Sequence, residues 1–443
     1  MRAPHVFIET FGCQMNEYDT ELVRSILKDS GYRFTDSPET ADVVLLNTCA
    51  IRENAHNKVY GHLGALKTLK HDKGLVIGVL GCMAQNLKED LLQDNSLIDV
   101  LAGPDSYRTL PDLLDKAAAG RKGLAVDLSE YETYADITPD RVDGVSAWIA
   151  VMRGCDNFCT FCVVPYTRGR ERSRDFAGVV REAETLAAQG CKQVTLLGQN
   201  VNSYHDGAHD FADLMLAVAD VPGLERVRFI SPHPKDFPEK LLEAVAGHPN
   251  ICKHIHLPVQ AGNDRILALM DRTYTRAEYL ALVDQIRTRG PSILLTTDII
   301  AGFCSETDEE FADTERLMRQ VDYHAAYVFQ YSERKHTIAA RKYPDDVPAS
   351  VKAARVTQLV EFQRGVSLKK NREMIGQTVA ILIEGEGKRS REQWMGRTDG
   401  NIVTVCPKTS QDLTPGRLTS VRITDATVTT LYGEFAHNGA GAR

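Results

Sequence analysis

Three cysteines fall within eight residues in Gly154-Cys-Asp-Asn-Phe-Cys-Thr-Phe-Cys162. Thiolate sulfur is a soft donor, and three on one short loop suit an iron–sulfur cluster or zinc. A structural zinc closes a tetrahedron with four ligands, yet no fourth Cys or His lies nearby; the nearest histidine is His205. Three thiolates on a four-iron cubane leave one iron open to a substrate, while zinc with a remote fourth ligand stands as the alternative. A second set is spread out: Phe-Gly-Cys13, Asn-Thr-Cys49 and Leu-Gly-Cys82 lie more than thirty residues apart. Cys191, Cys252, Cys304 and Cys406 stand alone and read as small buried hydrophobes.

For three distant cysteines to meet, the chain between them must return each to one rim. Strands are predicted over 5–10, 42–46 and 75–80, followed by polar or helical stretches such as 16–28 and 52–70. That alternation is a parallel sheet with helices on its faces. Each cysteine then sits at a carboxyl strand end, the edge where ligand sites assemble. Residues 121–145, with Pro139 and Gly144, lose the periodicity and read as a connection. Further strands are predicted over 146–152, 193–197, 226–230, 253–257, 293–300 and 325–331, with helices over 176–189, 211–219, 276–289 and 308–320. Six βα units make a partial barrel whose chemistry belongs on loops after the strands, and the Cys155 loop follows the first. After a charged helical segment, 349–374, strands of period two over 378–384, 392–398, 402–405, 417–424 and 426–434 predict a small β-barrel. The fold class is α/β: an open parallel α/β sheet (1–120), a connection (121–145), a partial (βα)6 barrel (146–375) and a small carboxyl-terminal β-barrel (376–440).

The Cys-x3-Cys-x2-Cys spacing, with Phe161 before its last cysteine, resembles the radical S-adenosylmethionine enzymes. That resemblance implies a cluster whose open iron binds S-adenosylmethionine, and its reductive cleavage to a 5′-deoxyadenosyl radical. Thr10-Phe-Gly-Cys-Gln-Met-Asn-Glu-Tyr-Asp-Thr-Glu21, Asn47-Thr-Cys-Ala-Ile-Arg-Glu53, Gly81-Cys-Met-Ala-Gln85 and Cys162-Val-Val-Pro-Tyr-Thr-Arg-Gly-Arg-Glu-Arg-Ser173 resemble the methylthiotransferases within that group. The last barrel resembles their RNA-binding TRAM domain. The Gly-Cys-Gln-Met-Asn motif and Cys49-Ala-Ile-Arg-Glu-Asn-Ala resemble the branch that methylthiolates carbon 2 of N6-isopentenyladenosine at position 37 of tRNA. The ribosomal-protein branch more typically reads Gly-Cys-Pro-Lys-Asn, and the threonylcarbamoyladenosine branch Gly-Cys-Lys-Val-Asn.

The resemblance implies two [4Fe–4S] clusters, on Cys13, Cys49 and Cys82 and on Cys155, Cys159 and Cys162. It also implies S-adenosylmethionine as radical source and methyl donor, an electron donor such as flavodoxin or ferredoxin, and tRNA carrying N6-isopentenyladenosine. Gly198, Gln199 and Asn200 match the stretch that contacts the cofactor's methionyl part, with Ser231, Gln260 and Asp298 at later strand ends and Phe161 near its adenine. Two loops depart from the family: Cys304-Ser305 replaces Pro-Gly, and Lys335-His336-Thr337 replaces Pro-Gly-Thr.

Arg168, Arg170, Arg172 and Arg174 alternate; in an extended segment they share one face, suited to phosphate or to pairing with Glu. Lys388, Arg389, Arg391, Trp394 and Arg397 interleave cations with an aromatic, a pattern for single-stranded RNA, unless Trp394 is barrel core. His233, His254 and His256 read as structural. With 52 Lys plus Arg against 60 Asp plus Glu, a net charge of −8 excludes a wholesale basic coat, so RNA must meet a local patch. No apolar run is long enough to span a bilayer and no secretory start is present, which predicts a cytoplasmic protein without membrane contact. There its ten cysteines are not a disulfide framework. The competing readings are methylthiolation of N6-threonylcarbamoyladenosine or of a ribosomal-protein aspartate, and a non-catalytic zinc-dependent RNA-binding protein.

Overall fold

The computed structural model describes residues 3–50, 53–94, 96–141, 144–408 and 413–436. Residues 51–52 of the second motif, 142–143 of the connection, and 409–412 and 437–440 of the last barrel lie outside the described residues. β1 (His5–Phe11), β2 (Arg33–Phe34), β3 (Val43–Thr48), β4 (Val76–Leu80), β5 (Val100–Ala102) and β6 (Gly123–Ala125) form one parallel sheet in the order β2-β1-β3-β4-β5-β6. β3 and β4 are buried on both faces, as their continuous apolar runs require of a parallel sheet. Helices Gln14–Asp29, Glu53–Lys73, Cys82–Asp94 and Leu110–Ala118 follow β1, β3, β4 and β5.

β6 lies inside the stretch predicted as a connection. That stretch also carries Tyr134, fully buried and stacked on Tyr107 at 5.8 Å. β2, β5 and β6 are two or three residues long, too short for a periodic signal.

The central strands are β7 (Ser146–Ala150), β8 (Met152–Arg153), β9 (Arg172–Ser173), β10 (Gln193–Leu197), β11 (Arg226–Phe229), β12 (His254–His256), β13 (Leu294–Ala301) and β14 (Ala325–Gln330). Parallel sheets β7-β10-β11 and β12-β13-β14 are joined by a parallel bridge between Val227 and Ile251, giving the six-stranded partial barrel. The predicted first strand is two: at Met152 the chain leaves the barrel wall, and β8 pairs antiparallel with β9. Capping boxes at Asp210, Thr275 and Thr307 start three of the outer helices.

Helix Ala349–Glu373 closes over β14; Gln363 Nε2 donates to the Tyr323 carbonyl at 3.0 Å and Ser367 Oγ to that of His324 at 2.7 Å. β15 (Thr378–Glu386), β16 (Gln393–Thr398), β17 (Val403–Pro407), β18 (Leu418–Ala426) and β19 (Thr430–Phe435) form a closed barrel in the order β15-β16-β17-β19-β18. It docks on the amino-terminal side of β11, where Arg226 donates to the carbonyls of Arg397 and Ala380 at 2.5 and 3.1 Å. Arg228 donates to those of Asp399 and Thr398, both at 2.8 Å. Among the described residues no helix is long and apolar enough to cross a membrane.

Candidate metal centres

The neighbours β1, β3 and β4 deliver Cys13, Cys49 and Cys82 to one rim. Cys13 caps helix Gln14–Asp29, Cys49 is held by its N–H on the Phe11 carbonyl at 2.9 Å, and Cys82 opens helix Cys82–Asp94. The backbone must be bare here. A Cβ on Gly12 would lie 2.7 Å from Asn16 Oδ1 and 2.8 Å from Cys49 Cβ, and one on Gly81 (φ +83°) would strike Asn47. Asn16 and Asn47, both fully buried, brace the rim: Cys13 Sγ donates to Asn16 Oδ1 at 3.2 Å and Asn16 Nδ2 to Asn47 Oδ1 at 3.2 Å. A hydrogen bond from Cys49, aided by Arg168 and two backbone N–H groups, lowers the Cys13 thiol to about 6 despite burial, whereas burial raises that of Cys82.

The second triad lies on the loop after β8. A Cβ on Gly154 (φ +79°) would collide with the Arg170 carbonyl, so the loop needs glycine there. Gly154 N–H donates to Gln199 Oε1 at 2.6 Å and Cys155 N–H to the Gly169 carbonyl at 3.1 Å. Thr160 latches the far end through Oγ1 to the Leu269 carbonyl at 2.7 Å and N–H to that of Met270 at 3.0 Å. Burial pushes the thiols of Cys155 and Cys162 up to about 12.

Among the described residues no three or more His, Cys, Asp or Glu are placed to hold a single metal ion. A cubane makes a different demand, since each thiolate takes its own iron. Three cysteines at each rim, with bare glycine beside them, fit a cluster that takes one thiolate per iron and leaves one iron open. Arg272 adds a fit that the sequence reading missed: 5% exposed, it donates from Nη1 to Cys159 Sγ at 3.3 Å.

A buried ion network joins the two rims. Asp19, fully buried on helix Gln14–Asp29, accepts from Arg153 Nη2 at 2.6 Å, Arg168 Nη2 at 2.8 Å and the Tyr107 hydroxyl at 3.2 Å. The Arg168 charge also opposes the effect of burial on the Cys82 thiol, and Arg153 immediately precedes the Gly154 loop.

This corrects the predicted arginine row. Arg168 ends a helix, Val164–Arg168, and Gly169 turns the chain, so the four do not alternate on one extended face. Arg168, Arg172 and Arg174 are buried and paired with Asp19, Asp105 and Glu182; only Arg170 is exposed, beside Asp156 at 2.7 Å. Arg168 and Arg172 thereby hold the first domain to the central one.

Other predicted residues gather at the barrel mouth. Gln199 anchors the cluster loop; a Cβ on Gly198 would lie 2.7 Å from Met152 Cγ; and Asn200, buried, donates to Glu171 and Asp236 at 3.3 and 3.2 Å. Ser231 (φ +62°) and Gln260 (φ +71°) adopt left-handed backbone after their strands. Asp298 is not at a strand end: β13 continues for three residues, and its carboxylate meets His256 Nε2 at 3.3 Å. Phe161 is half-buried against the barrel core. In the two departing loops Ser305 (φ +60°) and His336 (φ +71°) hold left-handed conformations, which glycine adopts more readily. Cys304 is buried, as expected of a lone cysteine. On the last barrel Lys388, Arg389 and Arg391 are exposed, Trp394 is half-buried under Lys408 Nζ at 4.3 Å, and Arg397 pairs with Glu384 at 3.4 Å.

Comparison with known proteins covers all three domains. Residues 5–103 match "Uncharacterized protein family UPF0004", 149–318 the radical SAM superfamily and 372–436 the TRAM domain. A tRNA-2-methylthio-N(6)-dimethylallyladenosine synthase of Chloroherpeton thalassium is 48% identical, over 97% of this chain and 95% of its own. One of Amoebophilus asiaticus is 47% identical over 97% and 92%. Among solved structures, the radical S-adenosylmethionine methyltransferase TsrM of Kitasatospora setae, with cobalamin and a [4Fe–4S] cluster bound, superposes with a TM-score of 0.60. It covers 76% of this chain and 74% of its own at 16% identity, a likeness of fold.

Proposed function

The chain belongs to the tRNA-2-methylthio-N(6)-dimethylallyladenosine synthases, methylthiotransferases of the radical S-adenosylmethionine group, and on that premise we propose that it transfers a methylthio group to carbon 2 of N6-isopentenyladenosine at position 37 of tRNA. The observation that carries this reading is the extent of the match. Relatives bearing that name align over 97% of this chain and 92–95% of theirs, so both triads and the last barrel are shared territory. Carbon 2 of adenine has no leaving group and no usefully acidic proton, which leaves acid–base catalysis nothing to act on. Two [4Fe–4S] clusters and S-adenosylmethionine, when bound, supply the radical and the sulfur such a carbon requires.

The chain's own residues bind and orient. Cys155, Cys159 and Cys162 hold one cluster, and Cys13, Cys49 and Cys82 the other. Gln199 fixes the first loop through Gly154, and Gly198 lets the chain pack closely against Met152 beside it. Gly198 to Asn200, Ser231, Gln260, Asp298 and Phe161 are positions for the S-adenosylmethionine. The exposed cations Lys388, Arg389 and Arg391, beside Trp394, form the RNA-facing edge of the last barrel, with Arg170 exposed near the Cys155 loop. A flavodoxin- or ferredoxin-class donor supplies electrons in the cytoplasm, where the tRNA is.

Nucleoside mass spectrometry of bulk tRNA from cells lacking this gene tests the reading. The expected result is loss of 2-methylthio-N6-isopentenyladenosine with its unthiolated precursor accumulating. Persistence of that nucleoside overturns the substrate, and colourless protein carrying only zinc after anaerobic purification overturns the chemistry.

A further inference from the structure

Arg272 lies in the turn between helices Asp264–Leu269 and Arg276–Arg289, and all three nitrogens of its guanidinium are committed. Nε donates to the Tyr274 hydroxyl at 3.0 Å, Nη2 to the Pro258 carbonyl at 3.0 Å and Nη1 to Cys159 Sγ at 3.3 Å. None of these partners is a carboxylate. The one side-chain acceptor among them that belongs to a cluster ligand is Cys159 Sγ, so the buried guanidinium is fixed directly against the centre.

The backbone is shaped for this. Asp271 (φ +55°) and Thr273 (φ +50°) flank Arg272, both left-handed. For a β-branched residue such as Thr that conformation is an outlier, and such outliers gather at functional sites. The same turn receives the Thr160 latch on Leu269 and Met270, so one rigid piece holds both the cluster loop and the guanidinium.

We propose that Arg272 is a positioning residue that tunes the Cys155/Cys159/Cys162 centre: its fork orients Cys159, and its fixed positive charge raises the reduction potential of the cluster held there. The inference rests on the two-cluster reading above. A [4Fe–4S]2+ core with three thiolates carries one net negative charge; one electron from the donor makes it two. No bond forms or breaks at Arg272, and a positive charge beside Cys159 favours the more negative state.

EPR-monitored redox titration of the anaerobic holoenzyme tests it, with the Cys13/Cys49/Cys82 cluster as internal control. Arg272→Gln is expected to move the midpoint of the cluster whose signal changes on adding S-adenosylmethionine to more negative potential by at least about 59 mV, a tenfold change in a one-electron equilibrium. Arg272→Lys keeps the charge and is expected to stay within a few-fold of wild type. An unchanged midpoint in the Gln protein at full iron content, or equal movement of both clusters, overturns the proposal. Should the Gln protein fail to take up iron, wild-type protein labelled with 15N-arginine decides: a 15N hyperfine coupling to that cluster is expected, and its absence overturns the contact. Lack of iron at both triads in the wild type would instead sink the two-cluster reading.

Discussion

His233 rests against the ring of Tyr274, centroids 5.6 Å apart, with its Nε2 buried and unpaired. Burial, with the charges of Arg272 and Lys235, depresses its imidazole to about 2. The unfolded chain takes up that proton from about pH 6.5 downward. Between those values the unfolded state binds more protons, so stability falls as pH falls, by up to about 1.4 kcal/mol per pH unit for this one group. His233→Asn is expected to flatten the drop in melting temperature between pH 7 and pH 5; parallel curves for both proteins would refute this. The cysteines were legible from the sequence because ligand chemistry fixes both residue type and spacing. Arg272 was not, since nothing in Met-Asp-Arg-Thr-Tyr274 reveals that the guanidinium crosses to a thiol 113 positions away. The arginine row misled for the same reason, because alternation is local whereas the carboxylates that bury Arg168, Arg172 and Arg174 come partly from the first domain.

The positions of the longer strands could be read from apolar runs, and the rim that collects Cys13, Cys49 and Cys82 follows from where those runs end. What escaped were short pieces and reversals, such as β5, β6 and the departure of β8 from the barrel wall, where two or three residues carry no period. The glycines mark where backbone shape is compulsory. Gly154→Ala should force the cluster loop off Arg170 and cost roughly half the bound iron, one of two triads, while sparing the other; iron and acid-labile sulfide assays would expose an error if the metal content stayed whole. His336 pays the opposite strain, a bulky residue in left-handed backbone. His336→Gly is expected to stabilise the fold by about 1 kcal/mol, and a lower melting temperature would count against it.

The three-domain order was visible in the sequence, but the surfaces that join the domains were not, because their partners lie far apart in the chain, Arg172 and Asp105 by 67 positions and Asp19 and Arg168 by 149. Asp19 is the clearest case, one carboxylate serving Arg153 and Arg168 from 134 and 149 positions away. Asp19→Asn leaves two buried guanidinium groups without their anion, an expected loss of about 3–5 kcal/mol. Hydrogen exchange should then rise together in helix Gln14–Asp29 and in Val164–Arg168; protection unchanged in both would show that the bridge is dispensable.

The same bridge bears on timing. With Asp19 tying the rim of the first sheet to the loop of the second triad, any hinge motion between the two cysteine centres has to break a buried ion pair. On the proposed function the target base has to leave its stack to reach the gap between the two centres, so the ease of unstacking it is expected to set which tRNAs are modified quickly.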